Sequence, residues 1–125
     1  MVDGTAVRSC LMFAVQADGH DLRTVEGLAK VGELHPLQTA FMENHGLQCG
    51  FCIPGIVVRA HAQIEKKGAD LTRADMSRHL GAHLCRCTGY TKILDAIDAL
   101  GSLRQWLASV PIRARFTSVP NTLIR

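Results

Sequence analysis

Four of the five cysteines of this 125-residue chain fall into two short patches, "HGLQCGFCIPG" from His45 and "HLCRCTGY" from His83. Cys49 and Cys52 form a C-x-x-C pair, and Cys85 and Cys87 a C-x-C pair. A fold that includes both must bring two distant loops together around one centre. A disulfide framework is a poor account of the spacing. The count is odd, and a bridge across one residue, as between Cys85 and Cys87, is strained. Spaced thiols without an export signal are more often ligands than bridges.

The segments around the patches read as helices. "LHPLQTAFMENHG" puts Leu34, Leu37 and Phe41 on one face, with Pro36 in the first turn and Gly46 as a stop. A second helix is expected from Pro54, on the Ile56, Val57, Ala60 and Ile64 repeat, until Gly68. Thr72 and Asp75 form a capping-box start for a short third helix through Leu80. Ile93, Leu94, Ile97 and Leu100 mark a fourth, with a possible continuation across Gly101 to Leu107. Before them, residues 2–25 read as extended. "CLMFAV", an Asp18-Gly19 turn and "DLRTV" predict a hairpin that needs other partners to be stable.

Composition excludes several classes. The hydrophobic share is 47%, the charged share 20% and the net charge +3, which is neither disordered nor basic enough for nucleic acid. No apolar run reaches the length of a membrane span, and the first residues lack a secretory signal pattern. The expectation is a soluble, cytoplasmic protein without membrane insertion. After Asp98 no acidic residue follows, while Arg104, Arg113, Arg115 and Arg125 do. This Pro-containing tail predicts an irregular end, with an arm docking on an acidic partner as the alternative.

Each cysteine pair is expected at the mouth of a helix, where free N–H groups and the helix dipole favour thiolate. Gly50, Gly55 and Gly89 allow close backbone approach to an inorganic core. Two fillings compete, a tetrahedral zinc and a 2Fe–2S cluster. The C-x-C spacing and the helical surroundings favour iron–sulfur. His45 and His83 are not needed as Rieske-type ligands, since four cysteines complete the site. His20, His35, His61 and His79 are expected at the surface or on helix flanks. Arg86 faces either the cluster or solvent, Tyr90 belongs to core packing, and Cys10 is expected as a buried strand residue.

"QCGFCIPG" followed by "CRCTGY", together with "VDGTAVRSCL", "ADG", "TVEGLA" and "HPLQTAF", closely resembles the 2Fe–2S small subunit of the molybdenum hydroxylase (xanthine dehydrogenase) family, over about Val2 to Leu107. The resemblance implies Cys49, Cys52, Cys85 and Cys87 as ligands of one 2Fe–2S cluster. It implies Gln48 and Cys87 beside the molybdopterin of a large partner subunit. It further implies electron transfer, without substrate chemistry in this chain, towards a flavin (FAD) on a medium subunit or another acceptor. Cys10 matches one ligand of a second 2Fe–2S cluster whose other three ligands are missing here. That cluster is therefore expected only in a full-length form, with Met1 an internal or misassigned start. Ile53 and Ala82 depart from the family's common threonine and glycine without touching a ligand.

The expected class is α+β, mainly α. A truncated ferredoxin-like β segment (1–30) precedes a four-helix 2Fe–2S-binding bundle (31–108) and an irregular tail (109–125). The alternatives are a zinc-bound four-cysteine structural module or a non-functional truncated fragment.

Overall fold

A computed structural model describes residues 1–30 and 32–100. The tail and the continuation to Leu107 lie outside the described residues. Four helices follow one another: α1 (Pro36–Glu43), α2 (Ile53–Lys67), α3 (Arg73–Leu80) and α4 (Tyr90–Ala99).

Each helix boundary has a local cause. His35 caps α1: its ring Nδ1 accepts from the Leu37 amide at 3.2 Å, and Gln38 accepts from the His35 amide at 2.8 Å. The far end of α1 is a Schellman motif. The Gly46 amide donates to the Phe41 carbonyl at 2.8 Å and the His45 amide to that of Met42 at 3.4 Å. His45 takes the left-handed conformation (φ 54°) that this motif demands and that glycine usually supplies. The second helix begins at Cys52 as N-cap, has Pro54 in its first turn and stops at Gly68, φ 54°. Thr72 and Asp75 make the expected reciprocal capping box of α3.

The core lies between the helices. Leu37 and Phe41 of α1 meet Ile93, Ala96 and Ile97 of α4, while Ile56, Val57 and Ala60 of α2 pack towards Met76 and Leu80 of α3. Burying each large side chain of this set stabilises by about 1.5–3 kcal/mol. Outside the core, Arg73 pairs with Asp95 at 3.0 Å and with Asp98, linking α3 to α4. Such exposed pairs add little.

Three expectations fail here. Leu34 lies before α1 and is exposed, because Pro36 and the His35 cap start the helix later. The N-terminal hairpin does not form as strands. Among the described residues only isolated bridges occur, Val2 with Thr5 and Val2 with Leu22. The Asp18-Gly19 turn exists, with Gly19 at φ 76° and the His20 amide donating to the Ala17 carbonyl at 3.2 Å. Its flanks instead coil into short 3-10 turns, Ser9–Leu11 and Ala14–Ala17. A tighter turn at Asp3-Gly4, both at positive φ, joins Val2 to Thr5. With no sheet to cover them, Leu11, Phe13 and Val15 stand exposed. The third failure follows: Cys10 is exposed in a 3-10 turn, not buried in a strand.

The histidine expectation fails at one position. His61 is buried, and its ring meets the edge of the His35 ring at 4.9 Å between centroids. The α2 stripe is wider than the aliphatic repeat alone indicates. Burial pushes both imidazoles down to about 4, helped at His35 by His61 and at His61 by Arg23.

Candidate metal centre

The chain brings Cys49, Cys52, Cys85 and Cys87 to the wall of one pocket, beside Gln48 and Lys92. The first pair is delivered by the turn leaving α1 and the N-cap of α2. The second comes from the loop between α3 and α4. All four thiols are free. They range from exposed Cys49 through half-buried Cys52 and Cys87 to buried Cys85.

Hydrogen-bonding contacts between the sulfurs run across the motifs. Cys49 lies within hydrogen-bonding reach of Cys87, and Cys52 of Cys85. Tetrahedral zinc needs four donors at about 2.0–2.3 Å from one centre. A two-iron core is larger and takes two thiolates at each end. Two cross-motif couples around a shared pocket fit the second donor arrangement.

Backbone amides aim at the sulfurs. The Phe51 N–H, with the Cys87 thiol second, holds Cys49 below the ordinary thiol range. Cys85 is lowered chiefly by the Gly89 N–H, then by Cys52 and by the amides of Cys87 and Thr88. Cys52 is pushed up to about 11 by burial, with its contact to Cys85 next. Three of the four sulfurs thus respond to burial or to one another, as expected where thiols crowd one pocket. Hydrogen bonds of this kind stabilise anionic sulfur when metal is bound.

The residue after each outer cysteine is left-handed: Gly50 at φ 82° and Thr88 at φ 56°. For threonine this is a strained conformation. Thr88 is held there as its hydroxyl donates to the Cys87 carbonyl at 2.7 Å, while the Gln48 amide donates to the same carbonyl at 3.4 Å. Gln48 thus touches the loop of Cys85 and Cys87 at the exposed rim. Arg86 is exposed. Tyr90 packs on the core as expected. Its hydroxyl also accepts from the Cys85 amide and donates to the His83 carbonyl, each at 2.8 Å. That role was missed, although a tyrosine five positions after a ligand cysteine was a visible signal. Lys92, one turn into α4, was also missed. It lines the pocket, and its amine lies 3.8 Å from the Asp95 carboxylate.

The flanks are apolar and bare. Phe51 is 94% exposed between Cys49 and Cys52, and Leu84 is 86% exposed next to Cys85. Cys10 belongs to no such grouping.

Comparison with known proteins gives the family. Residues 24–98 match the family profile described as 2Fe-2S binding domain. The chain is 50% identical over 100 residues to caffeine dehydrogenase subunit gamma of Pseudomonas sp. (strain CBB1), covering 78% of this chain and 60% of that one. It is 43% identical over 98 residues to the xanthine dehydrogenase iron-sulfur-binding subunit of Escherichia coli O157:H7, covering 78% and 62%. Among solved structures, quinoline 2-oxidoreductase from Pseudomonas putida 86 superposes with a TM-score of 0.78 at 38% identity, over 86% of this chain and 66% of that one. Aldehyde oxidoreductase from Desulfovibrio gigas superposes with a TM-score of 0.75 at 35% identity, over 89% of this chain and 12% of that one. The chain spans about 60% of the length of the first curated relatives it matches.

Proposed function

Given a chain that belongs to the 2Fe-2S binding domain family, we propose that it is the electron-transfer component of a molybdenum hydroxylase complex. It carries one 2Fe–2S cluster on Cys49, Cys52, Cys85 and Cys87. The observation that carries this reading is the arrangement of those four thiols in two cross-motif couples around one pocket. When bound, the cluster supplies one-electron redox chemistry. The protein's part is to present sulfur, exclude water and set charge. Buried Cys85 and half-buried Cys52 form the dry side. The Phe51, Gly89 and Thr88 amides oppose the negative charge of the Cys49 and Cys85 thiolates.

The partners proposed are a large subunit holding molybdopterin and a subunit holding FAD or another acceptor. Exposed Cys49 and Gln48, with bare Phe51 and Leu84 beside the ligands, support the cysteine rim as the face turned to the molybdopterin subunit. Gln48 and Cys87, tied by one hydrogen bond, would stand nearest that cofactor. Residues 1–30 are proposed as part of a ferredoxin-like β unit, supported by the uncovered Leu11, Phe13 and Val15. The described residues 32–100 are proposed as the cluster-binding unit. Cys10 is proposed as one ligand of a second cluster in a longer form. Free thiols throughout support a reducing compartment, the cytoplasm. Among the described residues no helix is long and apolar enough to cross a membrane.

The test is anaerobic purification followed by metal and sulfide analysis, visible absorbance, and paramagnetic resonance after dithionite. Two irons and two sulfides per chain, with a signal only after reduction, are expected. A colourless protein with one zinc per chain overturns the reading.

A further inference from the structure

Tyr90 is the first residue of α4, and its hydroxyl reaches back to the loop that carries Cys85. The oxygen accepts from the Cys85 amide and donates to the His83 carbonyl, both at 2.8 Å. One phenol therefore satisfies the two backbone groups that flank exposed Leu84, and it holds the reversal of chain that turns the Cys85 sulfur inward. Direction matters as much as place. The amides of Gly89, Cys87 and Thr88 are turned to the Cys85 sulfur. The amide of Cys85 itself is occupied by the phenol and withheld from the pocket.

We propose that Tyr90 is a positioning residue for the ligand Cys85: its hydroxyl fixes where that sulfur sits and which N–H groups the four sulfurs receive, and so tunes the redox poise of the site. The proposal rests on the iron–sulfur reading above. Tyr90→Phe keeps the packed ring and removes only the hydroxyl. It frees the Cys85 amide and the His83 carbonyl, and the hydrogen-bond pattern around the cluster must rearrange.

The experiment uses the full 125-residue chain, reconstituted anaerobically with ferrous iron and sulfide, as wild type, Tyr90→Phe and Ile97→Val. Ile97 is buried in the same helix but does not line the cysteine pocket, so its trimming reports on loosened packing alone. Absorbance, paramagnetic resonance of the reduced form and the midpoint potential are measured. A wild-type chain that forms no cluster overturns the iron–sulfur reading, and this proposal with it. With the wild-type signal present, Tyr90→Phe is expected to show displaced g values and a displaced midpoint potential, while Ile97→Val superimposes on wild type. Tyr90→Phe spectra and potential equal to wild type, or the same displacement in Ile97→Val, overturn the positioning role. If Tyr90→Phe loses its colour, Ile97→Val decides. Retention there at equal or lower unfolding stability supports Tyr90, and loss in both variants overturns it.

Discussion

Gly46 links the last turn of α1 to the segment carrying Cys49, and there is no room for anything larger. A Cβ built there would stand 2.9 Å from the Ala96 methyl, 3.2 Å from Phe41 Cδ1 and 3.4 Å from the Lys92 carbonyl. Ala96 and Phe41 are 0% and 1% exposed, and the third neighbour is backbone, so none can yield freely. Overpacking of this kind costs about 1–3 kcal/mol, against a gain of about 0.4–1 kcal/mol from stiffening the unfolded chain. Gly46→Ala should therefore lose about 1–2 kcal/mol. That corresponds to about 5–10 °C in the melting temperature of a domain of this size. Urea unfolding of the metal-free chain, followed by far-ultraviolet circular dichroism, measures the loss apart from any effect of iron. The clash has a named partner, so Ala96→Gly in the same chain should show a favourable coupling of about 1 kcal/mol in a double-mutant cycle. A Gly46→Ala chain as stable as wild type, or one whose deficit is unchanged by Ala96→Gly, refutes the steric reasoning.

Other outcomes follow from the same structure. Cys85→Ser or Cys87→Ser should bleach the reconstituted chain, whereas Cys10→Ala, at an exposed position outside the pocket lining, should leave the spectrum unchanged; visible absorbance decides both. His35 and His61, each with a folded-state pKa near 4, are depressed below the unfolded value near 6.5. The unfolded chain binds more protons between those values. Stability is therefore full above about pH 6.5 and falls as the pH drops towards 4, by about 2 kcal/mol for the pair after allowance for solvent screening. The groups facing them are Glu65, 3.4 Å from the His61 ring, and Arg23. Urea midpoints at pH 7 and 4.5 should differ in wild type and differ less in His61→Leu. Phe51→Asp and Leu84→Asp should leave cluster content unchanged in the isolated chain yet weaken capture of the proposed molybdopterin-binding subunit about tenfold by calorimetry.

The helices were legible because each had punctuation with a local mechanism. Pro36 and Pro54 open helices, Gly68 closes one, and Thr72 with Asp75 starts another. Periodicity at Ile93 and Ile97 needs no tertiary information. The cysteine pocket was also legible, since both motifs are short and sit at helix mouths. Coupling across the motifs was not, because spacing along the chain gives no distance between Cys49 and Cys87. The N-terminal error has the opposite origin. "CLMFAV" has strand-like composition, but strand structure depends on a neighbour that the segment itself cannot supply, and Cys10 was misplaced with it. His61 was misjudged because an imidazole between aliphatic positions reads as flank until the His35 ring is found against it. Tyr90 was half read: its ring announces packing, but the direction of its hydroxyl does not show in sequence.

The cross-linked partnership of sulfurs has a bearing on biogenesis. Each end of the pocket draws one thiol from before α2 and one from after α3, so a nascent chain on the ribosome owns no complete half-site until Cys85 has emerged. Iron delivered earlier meets only the neighbouring Cys49 and Cys52. On the proposed ligand set, loading waits until Cys85 and Cys87 have been made, and the metal then ties the α1–α2 junction to the α3–α4 junction like a buckle.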